Sequence, residues 1–105
     1  MTALANEIPI DDIAAFCRRW SIVELALFGS AARGELRPES DIDVLVTFAP
    51  EAGWSMFDLS RARRELEQLL NRSVDMVERP ALQTHHNPWL RSAILQDARV
   101  IYTAA

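Results

Sequence analysis

Lysine is absent from this chain. All 11 basic residues are arginine, which excludes lysine-based mechanisms, including the P-loop lysine and a lysine Schiff base. Cysteine is almost absent: Cys17 stands alone, so no internal disulfide forms, as in a reducing cytoplasm. Its neighbours Phe16 and Trp20 mark it as a buried structural thiol. No apolar run approaches the ~20 residues that a membrane span needs, and the N-terminus lacks the basic-then-apolar pattern of a secretion signal; a cytoplasmic, membrane-free protein is expected. Positive charge is also in short supply. The net charge of −4 argues against general nucleic-acid binding, which favours a basic surface, while leaving room for a local arginine beside a phosphate.

What is present is an ordinary soluble composition. Half of the 105 residues are hydrophobic and a quarter charged, enough for one small core, so residues 1–105 are expected to form a single domain. Ile13, Phe16, Cys17 and Trp20 follow helical spacing, with Pro9 and Asp11–Asp12 at the start and Arg18–Arg19 at the end. Ile22 to Phe28 reads as a buried strand that stops at Gly29–Ser30. A short helix follows, and Gly34 ends it. Asp41 to Phe48 is the clearest strand: Ile42, Val44 and Val46 share one face, and Asp41, Asp43 and Leu45 the other. Phe57 to Leu70 is an amphipathic helix with Leu59, Ala62, Leu66, Leu69 and Leu70 as its apolar stripe, and Asn71 is its stop. Ser73 to Glu78 is a further strand. Asn87–Pro88 starts a last helix with Leu90, Ala93 and Ile94 inward, and Arg99 to Tyr102 is the last strand. The order α-β-(α)-β-α-β-α-β predicts an α/β (α+β) fold, a mixed β-sheet flanked by helices.

The chemistry is concentrated in Phe28 to Val46, F-G-S-A-A-R-G-E-L-R-P-E-S-D-I-D-V-L-V. Asp41 and Asp43 are two apart on a strand, so both carboxylates leave one face. Like charges at that spacing repel, but a divalent cation needs them: Mg²⁺ takes a few carboxylates together with phosphate oxygens and water. Two such ions can clamp the attacking and leaving oxygens of a phosphoryl transfer. Gly29–Ser30, at a strand end before a helix start, offers backbone N–H groups and a hydroxyl to a phosphate. Arg33 either contacts that phosphate or pairs with Glu35 or Glu39. The Arg61–Arg63–Arg64 run reads as a solvated helix face, and His85–His86 as a solvated loop. Trp54, Phe57 and Trp89 are expected in the core or at an interface.

The Gly-Ser pair after one strand and the Asp-x-Asp on the next, with ten residues between Ser30 and Asp41, resemble the signature of the polymerase-β-like nucleotidyltransferases. The longer form, G-S-A-A-R-G-E then S-D-I-D-V-L-V, resembles the minimal nucleotidyltransferase (MNT) branch, and the similarity continues through R-S-V-D-M-V-E. The resemblance implies a third metal carboxylate on a neighbouring strand, Asp75 here, completing an Asp41–Asp43–Asp75 set. It implies ATP as substrate, two Mg²⁺ ions, and Gly29, Ser30 and Arg33 on the nucleotide. MNT proteins of this size resemble the antitoxin half of HEPN/MNT toxin–antitoxin pairs. The implied function is transfer of AMP to a protein hydroxyl, a tyrosine of a HEPN ribonuclease toxin. The alternative is an antitoxin that silences its toxin by occlusion without catalysis. Direct nucleic-acid binding is not expected, because larger members use further domains to hold an RNA or a base.

Overall fold

The computed structural model describes residues 9–34, 40–80 and 87–104. Among the described residues the elements run as helix α1 (Ile10–Arg19), strand β1 (Ile22–Phe28), helix α2 (Gly29–Arg33), strand β2 (Ile42–Phe48), helix α3 (Met56–Leu70), strand β3 (Val74–Glu78), helix α4 (Pro88–Asp97) and strand β4 (Arg99–Thr103). The sheet runs β3-β2-β1-β4. β1 is antiparallel to both of its neighbours, whereas β2 and β3 are parallel and joined through α3. This is the mixed, helix-flanked sheet that the alternation of elements predicts. Among the described residues no helix is long and apolar enough to cross a membrane.

Strand alternation divides the core. On one face Leu25, Leu27, Ile42, Val44, Val46 and Val74 pack with Ile13, Phe16 and Cys17 of α1 and Ala62 and Leu66 of α3. On the other, Ala26, Phe28 and Leu45 pack with Val77, Ile94 and Ala98. Asp43 and Asp75 lie on this second face by their alternation with Val44, Val74 and Met76. Its apolar cover, from α4, is centred on β1. Cys17 is fully buried, and burial pushes its thiol up to about 12, so it is an inert core residue.

Helices α1, α3 and α4 are bounded by identifiable chemistry. In α1, Asp11 and Asp12 occupy the first turn and Arg18 and Arg19 the last, both favourable to the helix dipole. The Ser55 side chain accepts from the Asp58 N–H while Asp58 accepts from the Ser55 N–H, a capping box. The Ser55 N–H and the Ser55 hydroxyl both donate to the Asp58 carboxylate and hold it below its usual range. The helix therefore opens at Met56, one residue before the position read from the sequence. Its end is as predicted, with Asn71 in the left-handed conformation at φ 55°. Asn87 Oδ1 accepts from the Trp89 N–H at 3.0 Å, which starts α4.

The three aromatics grouped by the sequence separate. Trp54 packs edge-on against Trp20, with ring centroids 5.0 Å apart, and its Nε1–H donates to the Trp20 carbonyl at 2.7 Å. Trp20 Nε1–H donates to Glu65, which also pairs with Arg19. Phe57 and Trp89 are 84% exposed and take no part in the core. Arg61, Arg63 and Arg64 are exposed as expected, with Arg63 paired to Glu67 one turn on. His85 and His86 lie outside the described residues, as do the side chains of Leu90 and Ala93.

The division between core and surface makes a direct test. Leu66→Ala should destabilise the fold by about 2–5 kcal/mol, since the side chain is fully buried. Phe57→Ser should change stability by less than ~0.5 kcal/mol. Denaturant unfolding of both variants checks the assignment of each face of α3.

Candidate functional site

The site is assembled by strand register. In the β1–β2 ladder Asp43 stands opposite Phe28, the last residue of β1. In the β2–β3 ladder Asp43 stands opposite Asp75. Gly29, which follows Phe28, is therefore carried to Asp43 from one side and Asp75 from the other. Asp41 immediately precedes β2 rather than lying in it, a small correction to the strand read from the sequence.

Gly29 is required by conformation and by space. Its φ is +65°, and a Cβ there would stand 2.6 Å from Asp43 Oδ2, closer than any carbon–oxygen contact tolerates. The absence of a side chain is what lets the Asp43 carboxylate lie against the turn between β1 and α2. Ser30 is the second residue of α2; its side chain lies outside what the structure describes. Arg33 ends the same helix.

The electrostatics centre on Asp43. It is half-buried, while Asp41 and Asp75 are exposed. Burial first, then the charges of Asp75 and Asp41, push its carboxyl above the usual range, and the Arg33 guanidinium opposes them. Asp43 thus lies within electrostatic reach of Asp75, Asp41 and Arg33. Glu35 and Glu39, the alternative partners considered for Arg33, lie outside the described residues.

A hard divalent cation fits this donor set. The oxygens are carboxylates, their mutual repulsion is incompletely offset, and the glycine leaves the central one unobstructed. Among the described residues no three His, Cys, Asp or Glu side chains form a set that could by itself hold a metal. Mg²⁺ is commonly held by one or two carboxylates, with waters and substrate phosphates completing its shell.

Two bonds that the sequence did not reveal border Asp41. Arg72 Nη1 donates to the Ser40 carbonyl at 3.3 Å, and the Ile42 N–H donates to the Ser73 carbonyl at 2.9 Å. Arg72 opens the R-S-V-D-M-V-E segment, but that pattern does not say what its side chain touches; only the fold brings it to the start of β2.

The raised Asp43 carboxyl has a pH consequence. Its folded pKa exceeds the unfolded one, so the folded chain binds the proton more tightly. The destabilisation is complete above the folded pKa and is relieved as pH falls towards the unfolded value. Asp43→Asn should therefore raise the Tm at neutral pH without metal, and its advantage over the unmodified chain should shrink on acidification. Thermal unfolding across pH 4–8 measures this; a difference constant with pH would contradict it.

Comparison with known proteins places the chain in a family. The nucleotidyltransferase domain model matches residues 13–102. Two Methanocaldococcus jannaschii proteins provisionally named protein adenylyltransferases are 40% identical over 73 residues (70% of this chain, 72% of the relative) and 34% identical over 79 (75% and 76%). A solved structure provisionally described as a minimal nucleotidyltransferase superposes with a TM-score of 0.72 at 33% identity, covering 94% of this chain and 95% of that one. A toxin–antitoxin structure with AMP-PNP matches with a TM-score of 0.70 at 20% identity, covering 91% and 74%. A tri-AMPylated Shewanella oneidensis HEPN toxin in complex with MNT antitoxin gives 0.63 at 17%, covering 96% and 73%; these last two are likenesses of fold. The chain thus belongs to the nucleotidyltransferase domain family, among the small members that bear the name protein adenylyltransferase.

Proposed function

We propose that this chain is a Mg²⁺-dependent protein adenylyltransferase that moves AMP from ATP to a hydroxyl of a partner protein, and that it acts as the antitoxin to a HEPN-type ribonuclease. The observation that carries the reading is the convergence of Asp41, Asp43 and Asp75 beside Gly29 at one end of the sheet. The relatives' names point to a protein acceptor. The neighbouring toxin–antitoxin structures, one with AMP-PNP and one with an AMPylated HEPN toxin, point to the nucleotide and the partner.

In this reading Asp41, Asp43 and Asp75 hold two Mg²⁺ ions, and the turn at Gly29–Ser30, with Arg33, receives the triphosphate. The bound ions neutralise the phosphates and the charge that develops on the oxygens in transfer. The acceptor oxygen forms a bond to the α-phosphorus, the α–β phosphoanhydride bond breaks, and pyrophosphate leaves. Asp75, exposed at the edge of the carboxylate group, takes the hydroxyl proton. The exposure of Asp41 and Asp75 leaves the site open to a loop of another protein. A partner supplies the missing walls and excludes water from the transfer. A tyrosine near the ribonuclease site is the proposed acceptor, because an added AMP blocks RNA by bulk and negative charge. A cytoplasmic location, a single domain over residues 1–105 and no direct contact with nucleic acid belong to the same reading.

Mass spectrometry of the chain incubated with its toxin, ATP and Mg²⁺ should show the toxin gaining one AMP unit, and Asp43→Asn should abolish the gain. A toxin silenced equally well by Asp43→Asn, and never modified, would replace catalysis with occlusion.

Gly29→Ala tests the nucleotide turn. Mg²⁺–ATP should raise the Tm of the unmodified chain through linkage. Alanine at this position must adopt a left-handed φ and displace the Asp43 carboxylate, so the nucleotide-induced rise should be lost. Differential scanning fluorimetry with and without Mg²⁺–ATP measures it; an undiminished rise would place the triphosphate elsewhere.

A further inference from the structure

Asp41 stands outside β2, yet both peptide groups that border it are held. The Ser40 carbonyl, on its N-terminal side, accepts from Arg72 Nη1. The Ile42 N–H, on its C-terminal side, donates to the Ser73 carbonyl. Both partners belong to the short segment between α3 and β3, which continues within two residues to Asp75. The first of the three carboxylates is thereby tied to the approach to the last.

That segment is itself firmly mounted. Asn71 turns the chain through a left-handed conformation, and its N–H donates to the Glu67 carbonyl. The Arg72 N–H donates to the same carbonyl at 3.2 Å. The Glu67 side chain accepts from the Val74 N–H at 2.9 Å and from Arg63 Nη1 at 3.1 Å. The residue before Glu67, Leu66, is fully buried. A continuous path of bonds thus runs from the packed end of α3 to the backbone on either side of Asp41.

We propose that Arg72 is a positioning residue for the metal-binding carboxylates, fixing the backbone of Asp41 relative to Asp43 and Asp75 through the Ser40 carbonyl. The inference rests on the reading of those carboxylates as a divalent-cation site. Its physical basis is geometric: hydrogen bonds hold the peptide groups on either side of Asp41, while Asp43 faces Asp75 across the β2–β3 ladder. Carboxylates that repel one another separate unless the main chain holds them, and separation weakens a cation site that needs its ligands placed to within about 0.5 Å. The guanidinium cannot lose its charge at physiological pH, so the restraint persists whether or not a cation is bound. Arg72 holds a ligand's backbone rather than the cation itself. Groups in that outer position change metal affinity by about ten- to a hundred-fold when removed.

The test is direct Mn²⁺ binding, read by electron paramagnetic resonance with a non-hydrolysable ATP analogue, in the full chain and in Arg72→Met, Arg72→Lys and Asp43→Asn. Arg72→Met keeps the aliphatic stem and removes the donors, and should weaken Mn²⁺ by about ten-fold or more. Arg72→Lys retains a cationic donor and should recover most of the affinity. Hydrogen exchange at the Asp41 and Ile42 amides should quicken in Arg72→Met and return towards normal in Arg72→Lys, and it reads the restraint without any metal. Loss of Mn²⁺ in Asp43→Asn with unchanged affinity in Arg72→Met would overturn the role of Arg72 alone. Unchanged affinity in Asp43→Asn would overturn the cation site and the inference with it. If Arg72→Met does not fold, Arg72→Lys decides: near-normal affinity and exchange support the role, and affinity as weak as that of Asp43→Asn defeats it.

Discussion

The parallel pairing of β2 with β3 is the constraint on which the site depends. Ile42 pairs with Val74, Val44 with Met76 and Val46 with Glu78. The apolar members of these pairs pack under α1 and α3. Because side chains alternate, a slip of one residue would turn that face outward. The core therefore dictates the register, and the register sets Asp43 opposite Asp75. Two acidic residues facing each other across a ladder are unfavourable in isolation. They remain there because the apolar residues on the opposite face of both strands leave no alternative.

The two ends of the sheet are built differently. At the start of β1 and the end of β2, the Trp20–Trp54 pair, the bond between their indole and carbonyl, and the Glu65 contacts close the structure. At the other end a glycine, three acidic side chains and an arginine gather with incomplete compensation. Stabilising interactions are concentrated away from the open end, and the unfavourable charge is concentrated at it. Proteins commonly tolerate such local strain where function requires it.

Much of this was legible in the sequence, for physical reasons that differ by element. β1 and β2 stood out because their apolar residues form short runs, and α1 and the interior of α3 because theirs follow the helical period. The start of α3 was placed one residue late, at Phe57, although Ser55 and Asp58 carried the capping signal. Phe57 and Trp89 were grouped with Trp54 by residue type, and only Trp54 finds a partner in the core. For the site, the spacing of Asp41 and Asp43 and the Gly29–Ser30 turn were visible as local pattern. The facing of Asp43 and Asp75 was not, since register is a property of two strands. Nor were Arg72 and Ser73 visible, because 32 positions separate Arg72 from the Ser40 carbonyl that it holds.

The contact between Gly29 and Asp43 also limits how such a chain can change over generations. With the carboxylate in place, position 29 admits no side chain, however small. A lineage that first replaced Asp43 by a smaller residue would remove the steric bar and leave only the left-handed φ, which asparagine can meet. Loss at 43 should thus precede drift at 29, and the reverse order should be rare. Among divergent copies, a residue other than glycine at position 29 would mark a chain that has already given up its central carboxylate.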